Sequence, residues 1–409
     1  MKKILSTLAF ATCLSSNAMA AGFYLQEQSV SGLGTAYAGQ TAIARDASII
    51  YFNPAGMTYL DGTQGNIGVH LLLPSADIDD TGTSNAGLGQ PTGEDTANPY
   101  ELSPVPNLHL SHQLNEKWWT GVSVTAPFGL GNEYDDAWFG RFDSIKSELK
   151  TINVQPSIAY KVNDKLSVGG GVDIQYADAI LTSAAFAGAL GQSTLNGDDI
   201  SFGYNVGVMY EPTPQTTLGL HYRSQVNHKL DGRIVAEGTG GADQNSAGKA
   251  NLNLPEIASF SAVHDVDDQW SVMGGATWFG WSNFERITAT TDAGVQVQNI
   301  LQGYKNSWAF NVGAEYKHSD DWTFRGGVQY DATPTTDGFR STRTPDGDRI
   351  WLSGGATYNL NDKMSVDMAL TYIDIAKEDI SLVRNAASNI QAESSGSVGI
   401  AALGLNYKF

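Results

Sequence analysis

The stretch TINVQPSIAYKVNDKLSVGGGVDIQYA, Thr151 to Ala177, carries the pattern on which the fold turns. Read with period two, Ile152, Val154, Pro156, Ile158, Tyr160 and Val162 share one face, and Asn153, Gln155, Ser157, Ala159 and Lys161 share the other. After the short turn Asn163-Asp164 the pattern returns: Leu166, Val168, Gly170, Val172, Ile174 and Tyr176 oppose Ser167, Gly169, Gly171, Asp173 and Gln175. Alternation of this kind marks strands with one apolar face, and in a membrane barrel that face meets lipid while the wet face lines the lumen.

Working outward, the same template predicts strands near 65–73, 105–114, 117–127, 151–162, 165–177, 201–211, 216–225, 257–266, 269–280, 307–317, 321–331, 349–359, 363–373 and 397–409. The connections alternate between short turns, such as Asn115-Glu116, Asp267-Asp268 and Asn361-Asp362, and long loops. Short periplasmic turns and long extracellular loops are the layout of outer-membrane barrels, and an even strand number places both termini on the periplasmic side. Tyr160, Tyr210, Tyr316 and Tyr358 precede short turns, while Trp118, Trp270 and Trp322 follow them. They are expected to form one interfacial girdle, because amphipathic rings prefer headgroup depth. The final strand, Leu403 to Phe409, must close the wall, since an open edge cannot be satisfied in lipid. Its terminal aromatic, Phe409, resembles the signal read by the barrel-assembly machinery. The expected fold class is all-β: a fourteen-stranded antiparallel transmembrane β-barrel with an N-terminal lumen plug, or hatch.

The chain begins with Lys2 and Lys3, an apolar run from Ile4 to Leu14 and Ala18-Met19-Ala20, which predicts a signal peptide over 1–20 cleaved after Ala20. That run is too short to span a bilayer as a helix. The one cysteine, Cys13, lies inside it, so the remaining chain offers neither disulfides nor thiolate chemistry. The net charge of −19 argues against a nucleic-acid partner and is assigned to acidic loops and lumen. The expected location is the outer membrane of a Gram-negative bacterium, as a multi-pass monomer against membrane lipid and lipopolysaccharide.

Residues 21–62 carry no strand pattern, and the barrel proper is expected over 63–409. Ser31 to Gly39 is small and glycine-rich, 42–47 suits a short helix, and Asn53-Pro54 is a turn signal. Leu33, Tyr37, Ile49, Ile50, Tyr51 and Phe52 are atypical of disorder. A segment that starts at the inner mouth and cannot stay in water is expected to fold into the lumen.

The run AGFYLQEQSVSGLG, Ala21 to Gly34, together with Asn53-Pro54-Ala55, resembles the hatch of the FadL family, outer-membrane transporters of long-chain fatty acids and, in relatives, aromatic hydrocarbons. Ala126-Pro127-Phe128-Gly129-Leu130, Asn251 to Glu256, Asp320 to Arg325 and Pro345 to Trp351 are similar to the family in the same order. The resemblance implies passive uptake of a hydrophobic molecule. The ligand would land on an extracellular groove, enter a lumen pocket and leave sideways at a kinked third strand, with the hatch as gate. No enzymatic activity and no cofactor are implied. Uptake of monoaromatic hydrocarbons is the alternative to fatty acids, and a general porin for polar solutes is a third reading.

The ligand-binding candidates are Phe23, Phe52, Asn53, Pro54 and Ala55 of the hatch, Trp138, Phe139, Leu181, Phe186 and Leu190 of the apolar loops 128–150 and 178–200, and Lys305. Exposed apolar loops call for an explanation, either as a groove or as loop-on-loop packing. The gate candidates are Asn53, Pro54, Gly121, Pro127 and Gly129; Pro127 removes a ladder donor, and a kink at Gly121 is the other option. A carboxylate head would want a cation, for which Arg286, Lys305, Arg223 and Arg325 are available. Ala177 to Ser183 contains no Lys or Arg, which departs from the fatty-acid pattern and favours a broader or neutral substrate. Arg223 and Arg325 fall on wet faces, where lumen ion pairs are expected. His109 and His112, three apart on a strand, point to opposite faces, so no metal site is expected.

Overall fold

The computed structural model describes residues 22–84, 96–185, 191–238, 243–385 and 388–409, so the expected signal peptide lies outside the described residues. The wall strands are β1 Thr63–Asp80, β2 Ser103–Gln113, β3 Trp118–Thr125 continued by Gly129–Glu133, β4 Lys146–Asn163, β5 Leu166–Ala184, β6 Gln192–Thr213 and β7 Thr216–Arg223 continued by Val226–Glu237. They go on as β8 Gln244–Leu254 continued by Ile257–Asp265, β9 Trp270–Phe279 continued by Arg286–Thr291, and β10 Gln296–Leu301 continued by Ser307–Lys317. β11 Trp322–Asp331, β12 Arg349–Asn361, β13 Met364–Asn385 and β14 Ser388–Lys408 complete the set of fourteen. Each pairs antiparallel with its neighbours, and β14 closes on β1 from Gln64↔Lys408 to Asp80↔Ala392.

Alternation decides which face is which. Ile67, Leu71 and Leu73 of β1 and Leu352 and Leu370 of β12 and β13 point outward and are exposed, whereas Asn66, His70, Gln155, Asp173 and Asn205 point inward and are buried. A polar residue facing the inside of an empty barrel would be wet. These are buried because the N-terminal segment lies against them.

The aromatic girdle takes the form of cross-strand pairs. Trp118 faces Tyr160, Trp270 faces Tyr316 and Trp322 faces Tyr358 in register, with ring centroids 4.6, 4.7 and 4.6 Å apart. Neighbouring aromatic pairs on one face also stabilise the ladder, by roughly 0.2–1 kcal/mol each.

At the other end the strands outrun their predicted length. Residues 178–200 were expected as a loop, but β5 and β6 stay paired as far as Ala184↔Gln192. Ile180, Leu181 and Thr182 have strong strand propensity, and a register once set continues wherever alternation permits. The helix expected over 42–47 is absent. The chain there turns instead, and the carboxylate of Asp46 accepts from the Ser48 amide at 2.8 Å.

Candidate functional site

The N-terminal segment contains two single-turn helices, α1 Val30–Leu33 and α2 Ile49–Phe52, and a 3-10 turn over Pro54–Tyr59. Ser29 caps α1 by accepting from the Gly32 amide at 3.0 Å. Asn53 does the same for the 3-10 turn: its side chain accepts from the Ala55 amide at 3.1 Å, and Pro54 occupies the first position, where no N–H is needed. The Asn53 amide also donates to the Thr41 carbonyl at 2.7 Å and to the Val208 carbonyl of β6 at 3.0 Å. Glycines on the wall make room for this turn. A Cβ at Gly207 would fall on Asn53 Oδ1, and one at Gly121 would meet Met57 Sδ at 2.7 Å and Ile50 Cδ1 at 2.8 Å.

Charged wall residues hold the segment from several sides. Arg223 pairs with Asp173 and donates to the Tyr51 carbonyl at 2.8 Å, while Gln155 donates to the Ile50 carbonyl at 2.8 Å. Across the barrel Glu315 binds both Arg45 of the segment, at 2.6 Å, and Arg325 of β11, at 2.7 Å. Arg223 and Arg325 are thus occupied inside the lumen and stand apart from the pocket described below.

The segment reaches further than expected. It ends, rather than starts, at the short-turn rim: Gly22 and Phe23 lie deep in the barrel, where Phe23 meets Trp281 and Phe284 edge-on at 4.7 and 5.1 Å. Burial lifts the Glu27 carboxyl to about 7 against the opposing pull of backbone N–H groups and Arg349.

Beside Phe23 the wall is broken. β2 and β3 pair only up to Leu108↔Val124. Beyond that point Ser103 to Asn107 of β2 pair with β1 alone, and Gly129–Glu133 pairs with β4 alone. The break falls at Ala126-Pro127-Phe128, and the N-terminal segment supplies the missing partners. Leu25 N–H donates to the Pro127 carbonyl at 2.8 Å, Gly129 N–H donates to the Phe23 carbonyl at 3.0 Å, and Gln28 Nε2 donates to the Ala126 carbonyl at 2.9 Å. Gly121 is paired normally on both sides, so of the two kink options the interruption belongs to Pro127 and its neighbours.

Above the break is an apolar pocket of about 70 Å³, well short of the several hundred Å³ of an occupied small-molecule site, so a ligand of any length requires its walls to move apart. Phe23, Leu130, Leu149, Leu181, Leu230 and Leu252 are among its walls, with Phe284 from the β9 interruption and Ile287 from the strand beyond it. Of the predicted ligand residues that are described, it gathers Phe23 and Leu181. Trp138 and Phe139 fall outside it: Trp138 stacks on Tyr134 at 3.7 Å and the pair packs with Ile78, Ile380 and Ile390 in a separate cluster. That is the loop-on-loop alternative. Phe52 packs on Tyr37 and Tyr51, Asn53, Pro54 and Ala55 sit beside Gly207 and Gly169, and Lys305 is exposed to solvent. Phe186 and Leu190 lie outside the described residues. Sequence reading missed Leu149, Leu230, Leu252, Phe284 and Arg343, which converge from segments far apart in the chain.

A closed barrel with an apolar outer face and an aromatic girdle defines an outer-membrane β-barrel protein. Residues 11–409 match the family described as outer membrane protein transport protein (OMPP1/FadL/TodX), and the chain belongs to it. It is 33% identical to the long-chain fatty acid transport protein of Escherichia coli O6:H1, covering 99% of this chain and 98% of that one. The solved structure of a Pseudomonas aeruginosa FadL homologue superposes with a TM-score of 0.88 at 25% identity, covering 95% of this chain and 100% of the other. The P. putida toluene transporter TodX shares the fold, with a TM-score of 0.69 at 18% identity over 89% of this chain and 94% of its own. Family members are transporters and channels of the outer membrane, and that is where this chain resides.

Proposed function

We propose that this protein carries hydrophobic molecules passively across the outer membrane, with residues 21–62 as the hatch of a barrel formed by 63–409. The ligand would gather among the apolar side chains of the long-loop end, enter the pocket and leave through the break in β3. The observation that carries this reading is the position of Phe23. Its ring lines the pocket and its carbonyl holds Gly129 at the wall break, so one displacement of the segment opens both. Asn53 and Pro54, which fix the turn against β6, would set how readily the segment moves, with Pro127 and Gly129 at the exit.

Apolar walls suit such a ligand energetically. Each methylene taken out of water contributes about 0.8 kcal/mol. About ten of them match the roughly 8 kcal/mol of a micromolar Kd, before association costs. The similarity to a fatty acid transport protein favours long-chain fatty acids, and the fold shared with TodX supports monoaromatic hydrocarbons as the second reading. A polar-solute porin fits poorly with a lumen whose inward residues are buried. The protein would act as a monomer among outer-membrane lipids and lipopolysaccharide, with Phe409 read by the assembly machinery.

Uptake of labelled oleate and toluene by cells carrying or lacking the protein tests the reading. Uptake should require the protein, need no energy source, and fall when Asn53-Pro54-Ala55 is replaced. Equal uptake by both strains, or rapid swelling of reconstituted liposomes in sugars, would sink it.

A further inference from the structure

We propose that Arg343 anchors the ligand head group in the pocket and that it selects amphiphiles bearing a carboxylate over neutral hydrophobes of equal length. This rests on the pocket being the ligand site inferred above.

Among the described lining residues Arg343 is the one cation, and it is 7% exposed. It comes from the connection between β11 and β12, and it reaches β4 and β5 on the other side of the pocket. Its donors are poorly used. Nη1 gives a hydrogen bond to Ser147 Oγ at 3.0 Å and contacts the Lys146 carbonyl at 3.3 Å and the Thr182 carbonyl at 3.5 Å. Nη2 has only the Thr182 carbonyl at 3.5 Å, and Nε is buried without a partner. Contacts at 3.5 Å are at the limit of a hydrogen bond and contribute little.

Nor does any described carboxylate form an ion pair with it. Asp143, the acid that acts on it through space, is bound by Arg384 and accepts from the Thr342 amide and hydroxyl at 2.8 and 2.6 Å. The one acid on the pocket wall, Glu148, is held by Lys150 at 2.6 Å and Lys146 at 3.8 Å. Burial pulls the Arg343 pKa down to about 10, partly offset by Asp143, so the side chain is charged at neutral pH. A buried guanidinium without a counter-ion is costly, and a carboxylate can repay that cost through short, charge-assisted bonds to two of its nitrogens. The ligand chain would then lie along Leu149, Leu181, Leu230 and Leu252. The cation missing from Ala177 to Ser183 is in this way supplied from across the barrel, against the carbonyl of Thr182 itself.

The test is binding of oleate and of methyl oleate to the full chain in lipid nanodiscs at pH 8, for the wild type, Arg343→Gln and Arg343→Lys. The wild type should bind oleate about tenfold tighter than the ester or better, the equivalent of one charge-assisted contact. Arg343→Gln should weaken oleate alone and bring the two ligands together, and Arg343→Lys should keep most of the preference. Retention of the wild-type oleate affinity in Arg343→Gln would overturn the proposal. So would equal weakening of both ligands, which would mark a residue that merely holds the walls. If the wild type binds neither ligand, the pocket itself is misassigned. If it binds the ester as tightly as oleate, the anchor alone fails.

Discussion

Asn53 and Gly207 form a lock that depends on the absence of one carbon. The Asn53 side chain caps its own turn and reaches the Val208 carbonyl because Gly207 has no Cβ to exclude it. Gly207→Ala is expected to cost about 1–3 kcal/mol of local packing, as overfilled cores do. Asn53→Ala should lose a cap and two further hydrogen bonds, at about 1 kcal/mol each. Both variants should leave the barrel folded but make the segment cleavable by trypsin at Arg45, whose side chain is now held by Glu315. Protection of Arg45 unchanged in both would refute the lock. Asn53-Pro54 was legible in the sequence as a turn, whereas its glycine partner was one of many glycines on wet strand faces, and only register brings it opposite Asn53.

At the scale of the element, the N-terminal segment completes β3. It can be trapped there, since the chain has no cysteine beyond Cys13 to interfere. Tyr24 and Phe128 bridge as an antiparallel pair, so Tyr24→Cys with Phe128→Cys should form a disulfide on oxidation. Oleate uptake should then drop about tenfold or more and return with reductant; uptake unaffected by the crosslink would exclude movement of this element as the gate. The docking should also respond to pH. Glu27 has its carboxyl raised from 4.5 to about 7 by burial, so the folded state holds the proton more tightly than the unfolded one. The stabilisation from its protonated form is complete below pH 4.5 and is lost as pH rises through about 7, a swing of up to about 3 kcal/mol. Hydrogen exchange of residues 23–30 should accelerate between pH 5 and 8 in the wild type and less so in Glu27→Gln. An identical profile in both would refute it.

For the whole molecule, stability rests on the wall. Leu370 is 68% exposed on the outer face of β13, between Gly354 and Ala401. Leu370→Arg should destabilise the barrel by about 2–4 kcal/mol if it lies near the bilayer midplane, read as a lower urea midpoint in lipid vesicles. A midpoint shift below 0.5 kcal/mol, estimated as about the effect of an ordinary surface change, would show that this face does not meet lipid. Substitution of the inward Ser353 one strand away should by contrast disturb the lumen rather than the insertion.

The sequence alone determined the wall: its strand number, its faces, its closure and its girdle all follow from period-two alternation and turn spacing, because each strand reports its own two environments locally. It also set residues 21–62 apart from the wall and offered Pro127 and Gly121 as interruptions of β3. The pocket was decided only by tertiary structure, since its walls come from Phe23, from β3 to β9 and from the Arg343 connection, and no local pattern distinguishes an inward leucine that lines a pocket from one that meets a loop. Trp138 and Phe139 illustrate the point, being as apolar as Leu149 and Leu252 yet turned onto Tyr134 and Ile78. The charge at the pocket was hidden for the same reason: Ala177 to Ser183 contains no basic residue, and the fold brings Arg343 to Thr182 from more than a third of the chain away.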